Sequence, residues 1–217
     1  MNNFKFFWIF LLMTLCSFKA ANAATVTIDF ESLQQSDSRY TFITGPFVDS
    51  GYIFTASSPV PYSFASAGDL DPRFAGSTAL TTFNYGMIFL ESSSGAAFDF
   101  LAIDLAPVTL GLNDPFGVDR EVGVSYQTTI YGLKVDGSIV SQAVNLPNAS
   151  AANILTTYSF TGFTGLTQLA IDSSAFPGVQ FDNVVLQTVS MVPEPSGFSL
   201  VLLGLLLMML HSIRKSS

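Results

Sequence analysis

Each end of this 217-residue chain is an apolar segment that a soluble core does not need, so only the middle is left to fold. Near the C-terminus the sequence reads Val192-Pro193-Glu194-Pro195-Ser196, then an apolar run from Gly197 to Leu210, then His211-Ser212-Ile213-Arg214-Lys215-Ser216-Ser217. Pro193 and Pro195 each lack a backbone donor and fix φ, so no helix passes through them. From Phe198 to Leu210 a helix would be apolar on every face, which places it in protein or in lipid. Gly197 to Ile213 is 17 residues, at the lower edge of what crosses about 30 Å of hydrocarbon. Arg214 and Lys215 would then hold the end on the cytoplasmic side. A buried C-terminal core helix is the alternative that these flanks disfavour.

The N-terminus has the build of a removable leader. Lys5 supplies the positive start, Phe6 to Cys16 the apolar run, and Ala21-Asn22-Ala23 a small-x-small cleavage site, with the mature chain starting at Ala24. Leu15 stands where a lipidated cysteine needs a small residue, so Cys16 is not expected to carry lipid, and the chain's one cysteine leaves with the leader. The reading is a signal peptide at 1–23, an exported domain at 24–190 and a C-terminal signal at 191–217 with its membrane helix at 197–213.

These two ends together resemble the PEP-CTERM proteins of Gram-negative bacteria. The matching positions are Pro193, Glu194 and Pro195 for the motif and Arg214 and Lys215 for the basic end, beside a leader whose cleavage site is marked by Ala21 and Ala23. The basic end departs from the pattern: many members carry several arginines there, and this chain has two charges followed by Ser216 and Ser217. The resemblance implies an exosortase-like membrane enzyme as processing partner. It implies anchoring in the inner membrane before processing, an envelope or extracellular location after it, and an association with exopolysaccharide and biofilm.

The exported part, Ala24 to Val192, holds four basic residues, Arg39, Arg73, Arg120 and Lys134, against 15 acidic ones, the chain's 16 less Glu194, a formal charge of −11. Such a surface repels phosphate backbones and suits no nucleic acid, whereas it attracts divalent cations. No histidine lies in this part, since His211 is the only one, and no cysteine remains. Ser-His-Asp triads, Cys-His pairs, histidine-held zinc and disulfides are all excluded. Chemistry run by carboxylates, Lys, Tyr or a hard metal stays open.

The body reads as strands. Val26, Ile28 and Phe30 alternate with Thr25, Thr27 and Asp29, the period of a half-buried strand. Further runs are 51–55, 87–90, 97–105, 122–135, 139–146, 153–160, 166–172 and 179–188. The run 97–105 is apolar on both faces, as an inner strand is. Val135-Asp136-Gly137-Ser138 predicts a type I′ hairpin turn, and residues 56–78 predict a long irregular loop. Nine or so short strands without an amphipathic helix predict an all-β fold, an antiparallel two-sheet β-sandwich, specifically a jelly roll.

Three body segments, Ile28-Asp29-Phe30-Glu31, Gly51-Tyr52-Ile53-Phe54 and Phe181-Asp182-Asn183-Val184-Val185, resemble jelly-roll carbohydrate-binding-like domains. The resemblance implies a structural calcium ion on Glu31 and Asp182. The plainer reading makes Asp29, Glu31 and Asp182 outward or turn-capping groups. The acidic stretches around Asp69-x-Asp71 and 113–121 lack a calcium-loop spacing and read as solvated loops. Sugar binding would use aromatic faces beside hydrogen-bonding groups, and Tyr62 and Tyr85 are the candidates, with Tyr40, Tyr52, Phe64 and Phe74 behind them. A sandwich without disulfides also needs aromatic rings for its core. No motif singles out a carboxylate pair for glycoside hydrolysis. The expectation is therefore a non-catalytic, exported envelope or matrix protein associated with polysaccharide, with no required cofactor. A structural or adhesive surface protein is the alternative, and a carboxylate-based hydrolase stands last.

Overall fold

The computed structural model describes residues 23–34, 40–57, 64–67, 78–82, 86–107, 126–146, 154–172 and 178–189. The leader up to Asn22 and the C-terminal signal lie outside them, as do Ala21, Tyr62, Tyr85, Pro193, Glu194, Pro195, Arg214 and Lys215. No helix among the described residues is long and apolar enough to cross a membrane.

Thirteen strands and one short 3-10 turn make up the described chain: β1 (Thr25–Ile28), the turn Glu31–Leu33, β2 (Tyr40–Ile43), β3 (Phe47–Asp49), β4 (Tyr52–Ala56), β5 (Phe64–Ala67), β6 (Leu80–Thr82), β7 (Met87–Ser92), β8 (Phe98–Pro107), β9 (Tyr126–Lys134), β10 (Ile139–Leu146), β11 (Thr156–Ser159), β12 (Leu166–Asp172) and β13 (Val179–Thr188). Nine of these are the runs read from the alternation of apolar residues. The other four, β2, β3, β5 and β6, are three or four residues long, too short to show a period of two. β5 lies inside the stretch expected as loop. It is a strand because it is paired on both sides, Thr41↔Ser66 towards β2 and Ala65↔Thr81 towards β6.

All ladders are antiparallel, and the strands make one nearly closed sheet with two halves. One half runs β3-β4-β7-β12-β9-β10. The other runs β2-β5-β6-β13-β8, with β1 also on β13 and β11 on β8. A single pair, Leu166↔Phe98, joins them through β12 and β8. β8 is an inner strand, as its two-sided apolar pattern implies, with β13 along one edge and β11 along the other.

The halves face each other across an aromatic core. Phe54 of β4 stacks on Phe181 of β13 with centroids 6.3 Å apart, and Phe30 meets both edge-on at 5.3 and 5.6 Å. Tyr52 of β4 meets Phe98 of β8 edge-on at 5.5 Å. Phe100, Phe160 and Phe163 form a second aromatic group. These rings, with Ile28, Leu90, Leu105, Ile130, Leu169 and Leu186 among others, are buried. Each ring removes some 150–250 Å² from water, which is how a chain without disulfides in its body holds this fold.

The turn between β9 and β10 differs from the type I′ expectation. Among its residues only Gly137 has a positive φ, at 82°. Gly137 N–H donates to Lys134 O and Lys134 N–H to Ser138 O, each at 2.9 Å, a three-residue loop closed by a left-handed glycine. The Asp136 carboxylate decides between the two geometries. It accepts from both Ser138 N–H and Ser138 Oγ, at 2.9 and 2.6 Å, which holds Asp136 out of the left-handed region. The same two bonds, the side-chain one foremost, hold its carboxyl below the usual carboxylate range.

Candidate functional site

The outer face of the β3-to-β10 half carries a groove. Along β7, Ile88 and Leu90 point into the core, so Met87, Phe89 and Glu91 point away from it. On β12 a register irregularity between Leu166 and Gln168 resets the alternation, and Gln168 and Ala170 share the outer face. On β9, Tyr131 and Leu133 share it, and on β10 Ile139 and Ser141.

Register then sets neighbours across the strands. Thr55, Phe89, Ala170, Tyr131 and Ser141 form one lateral row, each directly opposite the next. Ala170 is the small residue between two rings. Adjacent strands lie about 4.8 Å apart, so Phe89 and Tyr131 stand about 10 Å apart with only a methyl group between their strands. The neighbouring row is Ile53, Glu91, Gln168, Leu133 and Ile139. Its centre is polar: Gln168 Nε2 donates to Glu91 Oε1, which fixes both side chains. Met87, Tyr131, Leu133, Ile139, Gln168 and Ala170 line a depression of about 270 Å³ on this face. Leu133 and Ile139 are 38% and 70% exposed. The lining is apolar apart from the Tyr131 phenol and the Gln168 carboxamide, and Glu91 holds that carboxamide from beside the depression. That is the combination of ring face and hydrogen-bonding groups expected of sugar recognition, built from residues other than those the sequence pointed to.

Of the tyrosines considered for a platform, Tyr52 is buried at 4% exposure, and burial raises its phenol above its ordinary 10.0. It is core, as the need for aromatic packing implied. Tyr131 was not among the candidates. Its sequence neighbourhood is an ordinary β run, and only the register that sets Ala170 beside it makes its ring accessible.

The second cluster surrounds the calcium expectation. β1 and β13 do lie side by side, Ile28 opposite Val184. Glu31 is exposed in the 3-10 turn that follows, where Asp29 Oδ1 accepts its N–H at 3.2 Å. Asp182 is 1% exposed and lies directly opposite Asp104 of β8. Asn183 joins the two carboxylates: Nδ2 donates to Asp104 Oδ2 at 2.8 Å, and its own N–H to Asp182 Oδ1 at 2.7 Å. Its φ of 46° comes with a register irregularity in β13, between Asp182 and Val185. Among the described residues no group of three or more His, Cys, Asp or Glu is placed to hold a metal ion. The sequence singled out Asp182 and missed Asp104, because their opposition depends on a register that no local pattern encodes.

No protein-family model matches the chain, and no curated protein matches it. Solved structures with a similar chain layout include a family 29 carbohydrate-binding module complexed with mannohexaose, 10% identical, covering 77% of this chain and 93% of that one, with a TM-score of 0.40. Another is the same module type complexed with cellulohexaose, 10% identical, over 76% and 92%, at 0.40. A third is a family 29 module from Piromyces equi, 12% identical, over 80% and 95%, at 0.37.

Proposed function

We propose that this chain is an exported, non-catalytic β-sandwich of jelly-roll type that holds polysaccharide outside the cell in the groove over Ala170. The observation that carries the reading is the row Phe89–Ala170–Tyr131 beside the Gln168–Glu91 bond: a shallow, one-sided groove with a ring wall and fixed polar groups. Such a groove suits a chain of sugars lying across the strands. The apolar ends supply the address. In this reading 1–23 is a removed leader, 197–213 anchors the protein in the inner membrane, and an exosortase-like enzyme cuts near Pro193-Glu194-Pro195. The domain then resides in the envelope or the extracellular matrix, in biofilm. Calcium, where it binds, ties Asp182 and Glu31 and plays a structural part.

The test uses protein exported by cells that express the whole chain. Retention of the protein on the producer's own extracellular polysaccharide, measured by affinity electrophoresis, is the expected result, with Tyr131→Ala losing most of it. Equal mobility with and without the polymer removes the sugar-binding reading. The mass of the exported protein checks the address: a chain that still carries residues 1–23 and 197–217 contradicts it.

A further inference from the structure

The last strand of the groove half, β10, has no ladder on its outer side among the described residues, where the Tyr158 hydroxyl meets it at its far end. Among the described residues β10 pairs with β9 only. Natural edge strands avoid open pairing through charges, prolines, bulges or brevity. β10 has none of these: it runs Ile-Val-Ser-Gln-Ala-Val-Asn-Leu over eight residues in unbroken register with β9. The direction of its free backbone groups follows from the turn. Lys134 N–H bonds Ser138 O, so the pair Leu133↔Ile139 that follows is a non-bonded one, and every second pair after it is too. Ile139, Ser141, Ala143 and Asn145 therefore aim N–H and C=O away from β9. The far end confirms the phase, since Tyr158 of β11 donates its hydroxyl to Asn145 O at 2.9 Å.

Charge selects the occupant. From Gly137 to Ile171 the chain holds no Asp, Glu, Lys, Arg or His, in a domain with a formal charge of −11. Two copies of such a domain repel over most of their surface and least where this neutral stretch meets itself. Val135 and Ile139, 65% and 70% exposed, add apolar area at the end of the strand. We propose that two copies of this chain pair through their β10 strands, antiparallel about a two-fold axis, joining two six-stranded halves into one continuous sheet. Outward-aimed residues pair only with outward-aimed residues, so Ser141 of one copy bonds Ala143 of the other, with Gln142 on the axis. The two grooves then lie on a single sheet, and one polymer strand meets both.

Sedimentation velocity on the protein from full-chain expression, from culture fluid or in detergent from membranes, reads the state across about 1–100 μM. The wild type is expected to be a dimer in that range. Ser141→Pro removes one outward N–H and none that bonds β9; Ala143→Lys puts a charge on the edge. Each is expected to weaken the dimer by roughly tenfold or more. Val48→Lys, at an exposed residue on β3 at the opposite edge of the same half, is expected to leave it intact. A monomer throughout the range overturns the proposal. So does a dimer that survives both β10 variants, or one that Val48→Lys breaks equally. Far-UV circular dichroism on each variant separates loss of pairing from loss of fold, and either β10 variant suffices if the other misfolds.

Discussion

Tyr158 gives its hydroxyl proton to the main-chain carbonyl of Asn145 at 2.9 Å, and this bond ties β11 of one sheet half to β10 of the other. The nearly closed sheet is bridged at this point by a side chain instead of a ladder. Burial raises the Tyr158 phenol above its ordinary 10.0, so folding favours the neutral, donating form. Tyr158→Phe is expected to cost about 1 kcal/mol of stability at neutral pH by urea unfolding. The sign of the pH effect follows. The bond's contribution is complete below the unfolded phenol value and is lost as pH rises through the raised folded one. The gap between wild type and variant should therefore narrow above pH 10; a gap constant up to strongly alkaline pH contradicts this role.

Gly178 leads into β13 with a φ of 128°, and a Cβ there would sit 1.9 Å from Thr82 O on β6. Main chain has no way to yield as a flexible side chain does. Gly178→Ala is expected to destabilise by about 3 kcal/mol or more, through the clash and the disfavoured φ together. Gly162→Ala is the comparison: its φ is 81°, nothing lies within 4 Å of the added carbon, and only the backbone preference, about 1–2 kcal/mol, is at stake. Equal melting temperatures for the two variants would contradict the packing argument.

The residues that make the groove show what the sequence discloses and what it does not. Alternation placed β7, β9, β10 and β12 at the right positions, because each has a core face and a second face. It gave no hint that Phe89, Ala170 and Tyr131, 81 and 39 residues apart in sequence, fall on one line, since register belongs to the ladder and not to any strand alone. Asp104 and Asp182 make the same point for the polar cluster. The hairpin failed for a local reason: the Asp136 carboxylate prefers the Ser138 donors, and Asp-Gly read as a dipeptide omits the serine after it.

Asn183 is the joint of the carboxylate pair, and the metal question turns on it. Asp104 and Asp182 are cross-strand neighbours, and Asn183 bridges them, its amide donating to Asp104 Oδ2 and its N–H to Asp182 Oδ1. Asn also accepts the left-handed φ of 46° better than most residues do. Asn183→Ala loses both and is expected to cost about 2 kcal/mol. If calcium occupies this region, millimolar calcium raises the wild-type melting temperature, a chelator reverses it, and Asp182→Asn abolishes the response. A melting temperature indifferent to calcium and chelator removes Glu31 and Asp182 as ligands and leaves the Asn183 bridge between the two carboxylates.

Ala170 tests the groove without touching its polar groups. It is 7% exposed at the floor, between Phe89 and Tyr131 in the lateral row. A longer apolar side chain there extends away from the core into the depression, so it fills the groove without disturbing core packing. Ala170→Leu is expected to lower polysaccharide retention by roughly tenfold, the loss of a little over 1 kcal/mol of contact, while the free energy of unfolding stays within about 0.5 kcal/mol of wild type. Tyr131→Phe separates the ring from its hydroxyl. Binding kept in Phe and lost in Ala means the sugar rests on the ring face; binding lost in both means the hydroxyl is the contact. Undiminished retention in Ala170→Leu would place the polymer elsewhere on the molecule.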